Sequence, residues 1–442
     1  MLQTLIEKDM SFGIHRVRNF LINALTVIAG VIGAGAMLCG CMFRKPVTGP
    51  TTAPVWTANV GASTRPTIVE GVVYLLGGSE DGPDHLFAFD GATGKQLWAT
   101  EFEAVELLAV RNNQAFIRDR ENFLHTLDAR TGVERVKSKI ENEWIASLWA
   151  DDAFYGVNAN AELVAQGNPG WRVKTPYTRV YDDPVLDRGL IYLYGRHHVN
   201  DDAGIDGKPF INNAPMTLTI ITAYDAKTGE LRWKRENKPG CLISAPLVAN
   251  GIVYFTEEGE SRKISRADQP AEYKVDYTLH AFDIAANKDL WAKPTDDELT
   301  EVGGPQFIDG DVLYSLEAPG NPAWHYRALS IKTGETLWQM QPEIKSLKPA
   351  NYIGGILYVT GRRAHALLNE RGDTSPDSWL AAIDSRTGRQ LWHSEPKDLS
   401  EFTAPVAAGG MVYIASAPFY WNGVKKGGEY KLYAFRASRD GA

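Results

Sequence analysis

The eleven residues Ala223–Trp233, AYDAKTGELRW, recur along the chain. Close copies run Ala88–Trp98 (AFDGATGKQLW), Ala281–Trp291 (AFDIAANKDLW), Ala328–Trp338 (ALSIKTGETLW) and Ala382–Trp392 (AIDSRTGRQLW). Each copy reads as a strand, a tight turn and a returning strand. Asp225 can accept hydrogen bonds from backbone amides just ahead of it, which closes the turn. Gly229 supplies a positive φ at the last turn position. Leu231 and Trp233 are two residues apart and share a face of the return strand. The imperfect copies keep this chemistry. Asn287 stands for Gly, and Asn tolerates the left-handed region. Ser330 stands for Asp, and its hydroxyl makes the same local bond more weakly. The Asp is therefore read as a turn device and not as a catalytic carboxylate. The regularly spaced Trp are read as wedges between neighbouring units.

A second phrase precedes each copy: Pro, a few apolar residues, a Gly turn, then an aliphatic residue and Tyr. It appears as PTIVEGVVY (Pro66–Tyr74), PLVANGIVY (Pro246–Tyr254) and PVAAGGMVY (Pro405–Tyr413), among others. Two hairpins make one four-stranded unit, and such units in series read as propeller blades. Turn-opening positions fall at Asp90, Asp128, about Gln166, Asp225, Asp283, Ser330, Asp384 and Arg436. The second unit has Val136 where Trp is expected, and the third has a shortened turn before Trp171. The last unit lacks a returning Trp strand, and APVWTANV (Ala53–Val60) supplies one from the other end. The expectation is an all-β protein: an eight-bladed β-propeller of four-stranded antiparallel blades over residues 55–438, its last blade closed by the N-terminal strand.

With 442 residues, 44% of them hydrophobic, the chain can bury a large core. A net charge of −8 without a basic run argues against nucleic acid as a partner. Arg16 and Arg18 precede the uncharged stretch Asn19–Cys41, which reads as a signal peptide over residues 1–40. Its end, LCGC (Leu38–Cys41), resembles a bacterial lipobox, which implies lipidation of Cys41. Residues 41–54 then form a Pro/Thr tether, and an uncleaved membrane span is the competing reading. Loss of Cys39 with the signal and acylation of Cys41 leave Cys241, and so no internal disulfide.

The two short turns of each unit lie at one end of the blade, and the longer connections lie at the other. Recognition concentrates on loops held by a rigid scaffold. The candidate partner-binding residues on those loops are Phe210, Trp324, His325, Tyr326, Phe419, Tyr420 and Trp421. RHHVNDD, with His197, His198, Asp201 and Asp202, has metal-ligand residue types, but adjacent His in a strand point to opposite faces, and no metal site is assigned. GATGKQ (Gly91–Gln96) lacks P-loop spacing.

The repeat resembles the blade motif of the pyrroloquinoline-quinone-type propellers, A-x-D-x-x-T-G-x-x-x-W. One branch with this motif contains quinoprotein dehydrogenases. Likeness to that branch implies a quinone cofactor beneath a vicinal disulfide, with a calcium ion nearby. No Cys–Cys pair exists here. The other branch, the outer-membrane assembly lipoproteins of the BamB type, matches in lipobox, short tether and blade count. That resemblance implies a non-enzymatic scaffold without cofactor, lipid-anchored to the outer membrane and facing the periplasm. It implies binding to the POTRA domains of BamA or to nascent outer-membrane barrels. A quinoprotein dehydrogenase and a glycan- or small-ligand-binding lipoprotein are the alternatives.

Overall fold

The protein is described by a computed structural model. It describes residues 50–441 apart from 62–63, 79–83, 103, 122, 140–143, 151–152, 167–169, 199–216, 239–240, 260–261, 265–271, 296–303, 318–324, 341–343, 348–349, 364–377, 395–399 and 422–423. The expected signal segment and Cys41 lie outside these residues.

Eight antiparallel sheets follow one another along the chain, with a separate two-stranded ribbon, Arg262–Ile264 against Glu272–Lys274. Blade 1 comprises Thr67–Val69, Val72–Gly78, Asp84–Asp90 and Gln96–Phe102. Blade 2 comprises Ala104–Arg111, Gln114–Asp119, Phe123–Asp128 and Glu134–Lys139, and blade 3 Trp144–Ala150, Ala153–Asn158, Glu162–Gln166 and Trp171–Lys174. In blade 4, a first strand in two pieces (Arg179–Val180, Val185–Asp187) precedes Leu190–His198, Thr217–Asp225 and Leu231–Glu236. Blade 5 comprises Leu247–Ala249, Ile252–Glu258, Tyr277–Asp283 and Lys288–Thr295, and blade 6 Gly304–Asp309, Val312–Glu317, His325–Ser330 and Thr336–Gln339. Blade 7 comprises Ile344–Leu347 with Asn351–Ile353, then Ile356–Arg363, Ser378–Asp384 and Gln390–Ser394. Blade 8 comprises Ser400–Phe402 with Val406–Ala408, then Met411–Trp421 and Lys431–Arg436. Its outer strand is Trp56–Asn59, paired with Lys431–Arg436 from the far end of the chain. The expected eight blades and their closure by the N-terminal strand are thus the observed architecture.

Turn chemistry explains the hairpins. Between the first two strands of a blade, Glu70–Gly71, Arg188–Gly189, Asn250–Gly251 and Gly354–Gly355 each place two successive residues at positive φ. Such two-residue turns match the right-handed twist of the flanking strands. At the second turn, the Asp225 carboxylate accepts the amides of Lys227 and Thr228, both at 3.0 Å. Asn287 sits at φ 50°, the conformation its Gly counterparts adopt.

The core lies between blades. One cluster joins Tyr74, Leu86 and Ala88 of blade 1 to Ala115, Ile117 and Leu127 of blade 2. Another joins Val73, Leu75 and Phe89 of blade 1 to Tyr413, Leu432 and Ala434 of blade 8, across the closing seam. A fixed lock repeats at these seams. The indole N–H of Trp98 donates to Ala129 O at 3.1 Å, that of Trp291 to Ile331 O at 2.8 Å, and that of Trp338 to Ser385 O at 2.7 Å. In each case the acceptor is the residue after the turn Asp or Ser of the next blade. Trp56 makes the same bond to Gly91 O at 2.9 Å, so the closing strand locks blade 8 onto blade 1. The blade Tyr joins in: Tyr74 Oη donates to Ala129 O at 3.0 Å and Tyr314 Oη to Ser385 O at 3.1 Å. The turn Gly of each following blade lies under the indole. A Cβ on Gly334 would sit 2.6 Å from the Trp291 ring, and one on Gly388 2.6 Å from Trp338.

The seam between blades 4 and 5 departs from this pattern. Asn287 replaces the turn Gly there, and Trp233 tilts onto Phe282 with ring centroids 5.4 Å apart. The buried Tyr192 hydroxyl finds no acceptor among the described residues, and burial pushes its pKa up to about 12.

Residues Pro50–Thr52 were expected to belong to a tether. Instead they lie along the outer strand of blade 7. Thr52 N–H donates to His393 O at 2.8 Å, and His393 N–H donates to Pro50 O at 3.0 Å, in parallel pairing.

Candidate recognition face and its charged seams

Strand order divides the propeller into two faces. Among the described residues, the positive-φ turns between first and second strands and the Asp or Ser turns between third and fourth lie on one side. The connections between second and third strands, and the links between blades, leave on the other. On that second face the strands overrun. Leu190–His198 and Met411–Trp421 continue well past their blade Tyr, and the latter folds back in a hairpin with Val424–Gly427. The ribbon of Arg262–Ile264 and Glu272–Lys274 projects from blade 5 on the same connection.

The candidate residues separate into three groups. Phe210 and Trp324 lie outside the described residues. The backbones of Phe419, Tyr420 and Trp421 fall in the projecting hairpin of blade 8. His325 and Tyr326 were expected on a solvent-facing loop, and this is corrected: both open the third strand of blade 6 and are buried, Tyr326 completely. The reason is strand alternation. Tyr326 turns toward blade 7, into the cluster with Trp379 and Ala381. His325 turns the other way, with Nε2 2.6 Å from Gln339 Nε2 and 3.6 Å from Glu317 Oε2. His197 and His198 are the last two residues of the second strand of blade 4, opposite Leu218 and Thr217, and Asp201 and Asp202 lie outside the described residues.

The residues most heavily charged and buried near this face are ones the motif did not single out. In blades 2, 5 and 6 the second strand carries an acid three residues after the blade aromatic: Asp119, Glu257 and Glu317. The third strand of the same blades carries a base three residues before the turn opener: His125, His280 and Arg327. Blade 1 has Gly77 with Phe87, blade 4 Gly195 with Thr222, and blade 7 Gly361 with Ala381. The acid and the base occur together and are absent together. A partnerless buried charge is costly, so a repeat keeps both or neither.

Geometry confirms the pairing. His125 Nε2 is 2.8 Å from Asp119 Oδ2, with Glu134 3.4 Å from the other ring nitrogen. Desolvation works to raise the Asp119 carboxyl, but bonds from His125 and the amides of Phe123 and Glu121 outweigh it and hold the group below the usual carboxylate range. His280 lies 3.1 Å from Asp289 and 3.6 Å from Glu257, and stacks on Phe255 with centroids 5.0 Å apart. Glu257 also pairs with Arg235 of blade 4, across the seam. Glu317 and Arg327 make a buried ion pair at 2.7 Å. A cavity of about 230 Å³ opens at the seam of blades 4 and 5, lined by Asn237, Lys238, Glu257, Glu258, Thr278 and His280. Burial pushes the Glu258 carboxyl up, opposed by the hydrogen bond from Leu242 N–H. The internal repeat itself held the signal for these pairs: charged residues at two fixed offsets in an otherwise apolar register.

The family model described as outer membrane protein assembly factor BamB matches residues 47–161 and 273–416. The chain belongs to the BamB family. The solved BamB of Moraxella catarrhalis superposes with a TM-score of 0.54 at 16% identity, over 87% of this chain and 100% of that one. A quinohemoprotein alcohol dehydrogenase, ADHIIG of Pseudomonas putida HK5, superposes with a TM-score of 0.51 at 12% identity, over 89% of this chain and 77% of that one. In sequence the chain is 24% identical to the tetrathionate hydrolase of Acidithiobacillus ferrooxidans, over 89% of this chain and 71% of that protein. The BamB fold is thus shared with enzymes. The vicinal disulfide that likeness to the quinoprotein branch implies has no counterpart among the described residues, where Cys241 is the one cysteine, 3.6 Å from Gly259 O. Among the described residues no three His, Cys, Asp or Glu side chains converge as ligands.

Proposed function

We propose that this chain is a scaffold of outer-membrane β-barrel assembly, anchored through Cys41 to the outer membrane and facing the periplasm. The BamB family match over the majority of the chain is the observation that carries this reading. The chemistry of the repeat supports it. The motif carboxylates are spent on turns, and the Trp indoles on seams. That leaves recognition to the overrunning strands and loops of one face. The partners of this reading are the POTRA domains of BamA or nascent barrels, met by the hairpin that holds Phe419, Tyr420 and Trp421, and by the loops that hold Phe210 and Trp324. The test is a tagged full-length chain recovered from detergent-solubilised membranes. Co-recovery of a POTRA-containing barrel is the expected result, and its loss on Cys41→Ser would support the anchor.

A second reading, an exported enzyme, draws on the likeness to tetrathionate hydrolase across most of the chain. Turnover of tetrathionate, or quinone-dependent dye reduction, by the purified protein without any recovered barrel would replace the scaffold reading.

A further inference from the structure

Six of the eight seams are latched by an indole, and the two that are not enclose one pair of blades. At the latched seams Trp98, Trp171, Trp291, Trp338, Trp392 and Trp56 each donate to a carbonyl of the following blade. The Tyr358 hydroxyl is unpaired, but Trp392 keeps the latch of that seam, 2.8 Å from Ser438 O. The seam of blades 2 and 3 has lost both donors by substitution: Val136 stands for the Trp and Phe116 for the Tyr. The buried Trp144, Phe154 and Val164 of blade 3 form a cluster of their own, which among the described residues takes in no residue of blade 2.

The seam of blades 4 and 5 keeps both donors and loses the acceptor. In a Gly turn the Gly334 N–H bonds to Ser330 O at 2.8 Å, and the next carbonyl, Ile331 O, receives the indole. In the turn of blade 5 the Asn287 N–H takes that next carbonyl itself, Ile284 O, at 3.2 Å. Asn287 also carries a Cβ where one on Gly334 or Gly388 would lie 2.6 Å from an indole. Trp233 leans on Phe282 instead. Its N–H and the buried Tyr192 hydroxyl make no hydrogen bond among the described residues. An apolar cluster around Ile221, Val253 and Phe255 still spans this seam, with the Arg235–Glu257 ion pair beside it. The enclosed seam, of blades 3 and 4, is complete. Trp171 at 3.0 Å and Tyr155 at 3.4 Å both donate to Ala226 O, and a cluster of Val157, Leu163, Ile191 and Ile220 spans it.

We infer that blades 3 and 4 form a two-blade module that opens from the ring as one unit, parting at the seams with blades 2 and 5 before any latched seam yields. In a ring of nearest-neighbour contacts, the segment released first is the one whose two boundary seams together cost least. Sub-global opening follows such differences in local stability. The cavity at the seam of blades 4 and 5 straddles the parting line. Asn237 and Lys238 follow the outer strand of blade 4, whereas Glu257, Glu258, Thr278 and His280 belong to blade 5. Opening of the module widens that cavity. The module is a property of the ring and is the same for a scaffold or an enzyme.

The test is hydrogen exchange of the detergent-solubilised full chain in sub-denaturing urea. Mass spectrometry reads the second strands Ala153–Asn158, Leu190–His198, Val312–Glu317 and Ile356–Arg363. Those of blades 3 and 4 should exchange in step, at least about tenfold faster than those of blades 6 and 7, the factor that one or two net hydrogen bonds carry. Asn287→Gly, which releases Ile284 O and clears the indole, should slow blades 3 and 4 at least about fivefold and leave blades 6 and 7 unchanged. Trp233→Phe removes an unbonded N–H, and Trp338→Phe a bonded one from a similarly half-buried ring. The second should speed exchange in its own blades at least about fivefold more than the first does. Exchange of blades 3 and 4 out of step, or no faster than blades 6 and 7, would overturn the module. So would no response to Asn287→Gly, or equal effects of the two Trp variants.

Discussion

At the scale of the residue, the repeated Gly and Asp do separable work. Gly334 has φ +70° and the Trp291 indole above it, whereas Gly354 has φ +59° and open space above it. Both lose left-handed freedom on substitution, a cost of about 1 kcal/mol. Only Gly334→Ala must also displace an indole that is hydrogen-bonded to Ile331 O. Urea melts should therefore show Gly334→Ala to be at least about 2 kcal/mol more destabilising than Gly354→Ala, the scale of overpacking at a tight contact. The turn carboxylates bear on acid stability. Hydrogen bonds from Thr93 hold Asp90 below its ordinary 3.8, led by the Thr93 hydroxyl. The Arg135 side chain does the same for Asp128. A group lowered in the folded state adds stability that is fully present above the unfolded value. That stability is lost as pH falls through the folded one. Asp90→Asn should thus be less stable than wild type at pH 7 and converge with it in acid, once pH has fallen through the lowered folded value and both side chains are neutral. Urea midpoints against pH measure this, and parallel curves would contradict it.

At the scale of the element, the seams were partly legible in advance. The Asp-to-Trp spacing, the Asn287 substitution and the Trp wedges followed from turn and strand geometry, and the hydrogen bonds of Trp98, Trp291 and Trp338 place them there. The third hand on the locks of Trp98 and Trp338, the blade Tyr, was not legible. Its partner Ala129 O or Ser385 O lies in another blade, and no local pattern links them. His325 and Tyr326 were misread because an aromatic run beside Asn-Pro reads as loop, while the strand register begins at His325. The acid–base pairs escaped for a related reason: each half sits on a different strand, diagonal in the ladder. Their energetics are testable. Glu317→Leu alone leaves the Arg327 charge buried, which typically costs about 3–5 kcal/mol. Glu317→Leu with Arg327→Met removes both charges and should recover the greater part of that loss. A double-mutant cycle by urea unfolding reads the coupling, and additive single effects would show that the pair does not act as a unit.

At the scale of the whole molecule, stability is a circuit of nearest-neighbour seams. The seam of blades 8 and 1 is made by Trp56, Tyr413 and the cluster around Val73 and Phe89. A chain starting at Val60 lacks the strand that carries the half-buried Trp56, whose loss forfeits a large part of the about 3–5 kcal/mol that a core Trp is worth. Such a chain should unfold at a clearly lower urea midpoint than one starting at Pro50, with a broadened transition. A synthetic peptide of residues 50–60 should restore the midpoint. Equal midpoints for the two truncations would mean that the ring does not depend on closure. Blade number and the closing strand were legible because the eighth unit lacked a Trp strand and the N-terminus had a spare one. The further pairing of Pro50–Thr52 was not, since three residues of Pro and Thr carry no strand periodicity.

The pairing of Trp56–Asn59 with Lys431–Arg436 also has a consequence in time. The first of these strands leaves the ribosome before all the intervening blades, and the second after them. The first must wait, with its indole unhoused, while all the intervening blades are made. No product that stops short of Lys431–Arg436 can shut the toroid, so the polypeptide stays open at one place until that strand has been made. Long-range pairing of this kind is slow to form. Here the delay keeps an unfinished chain threadable.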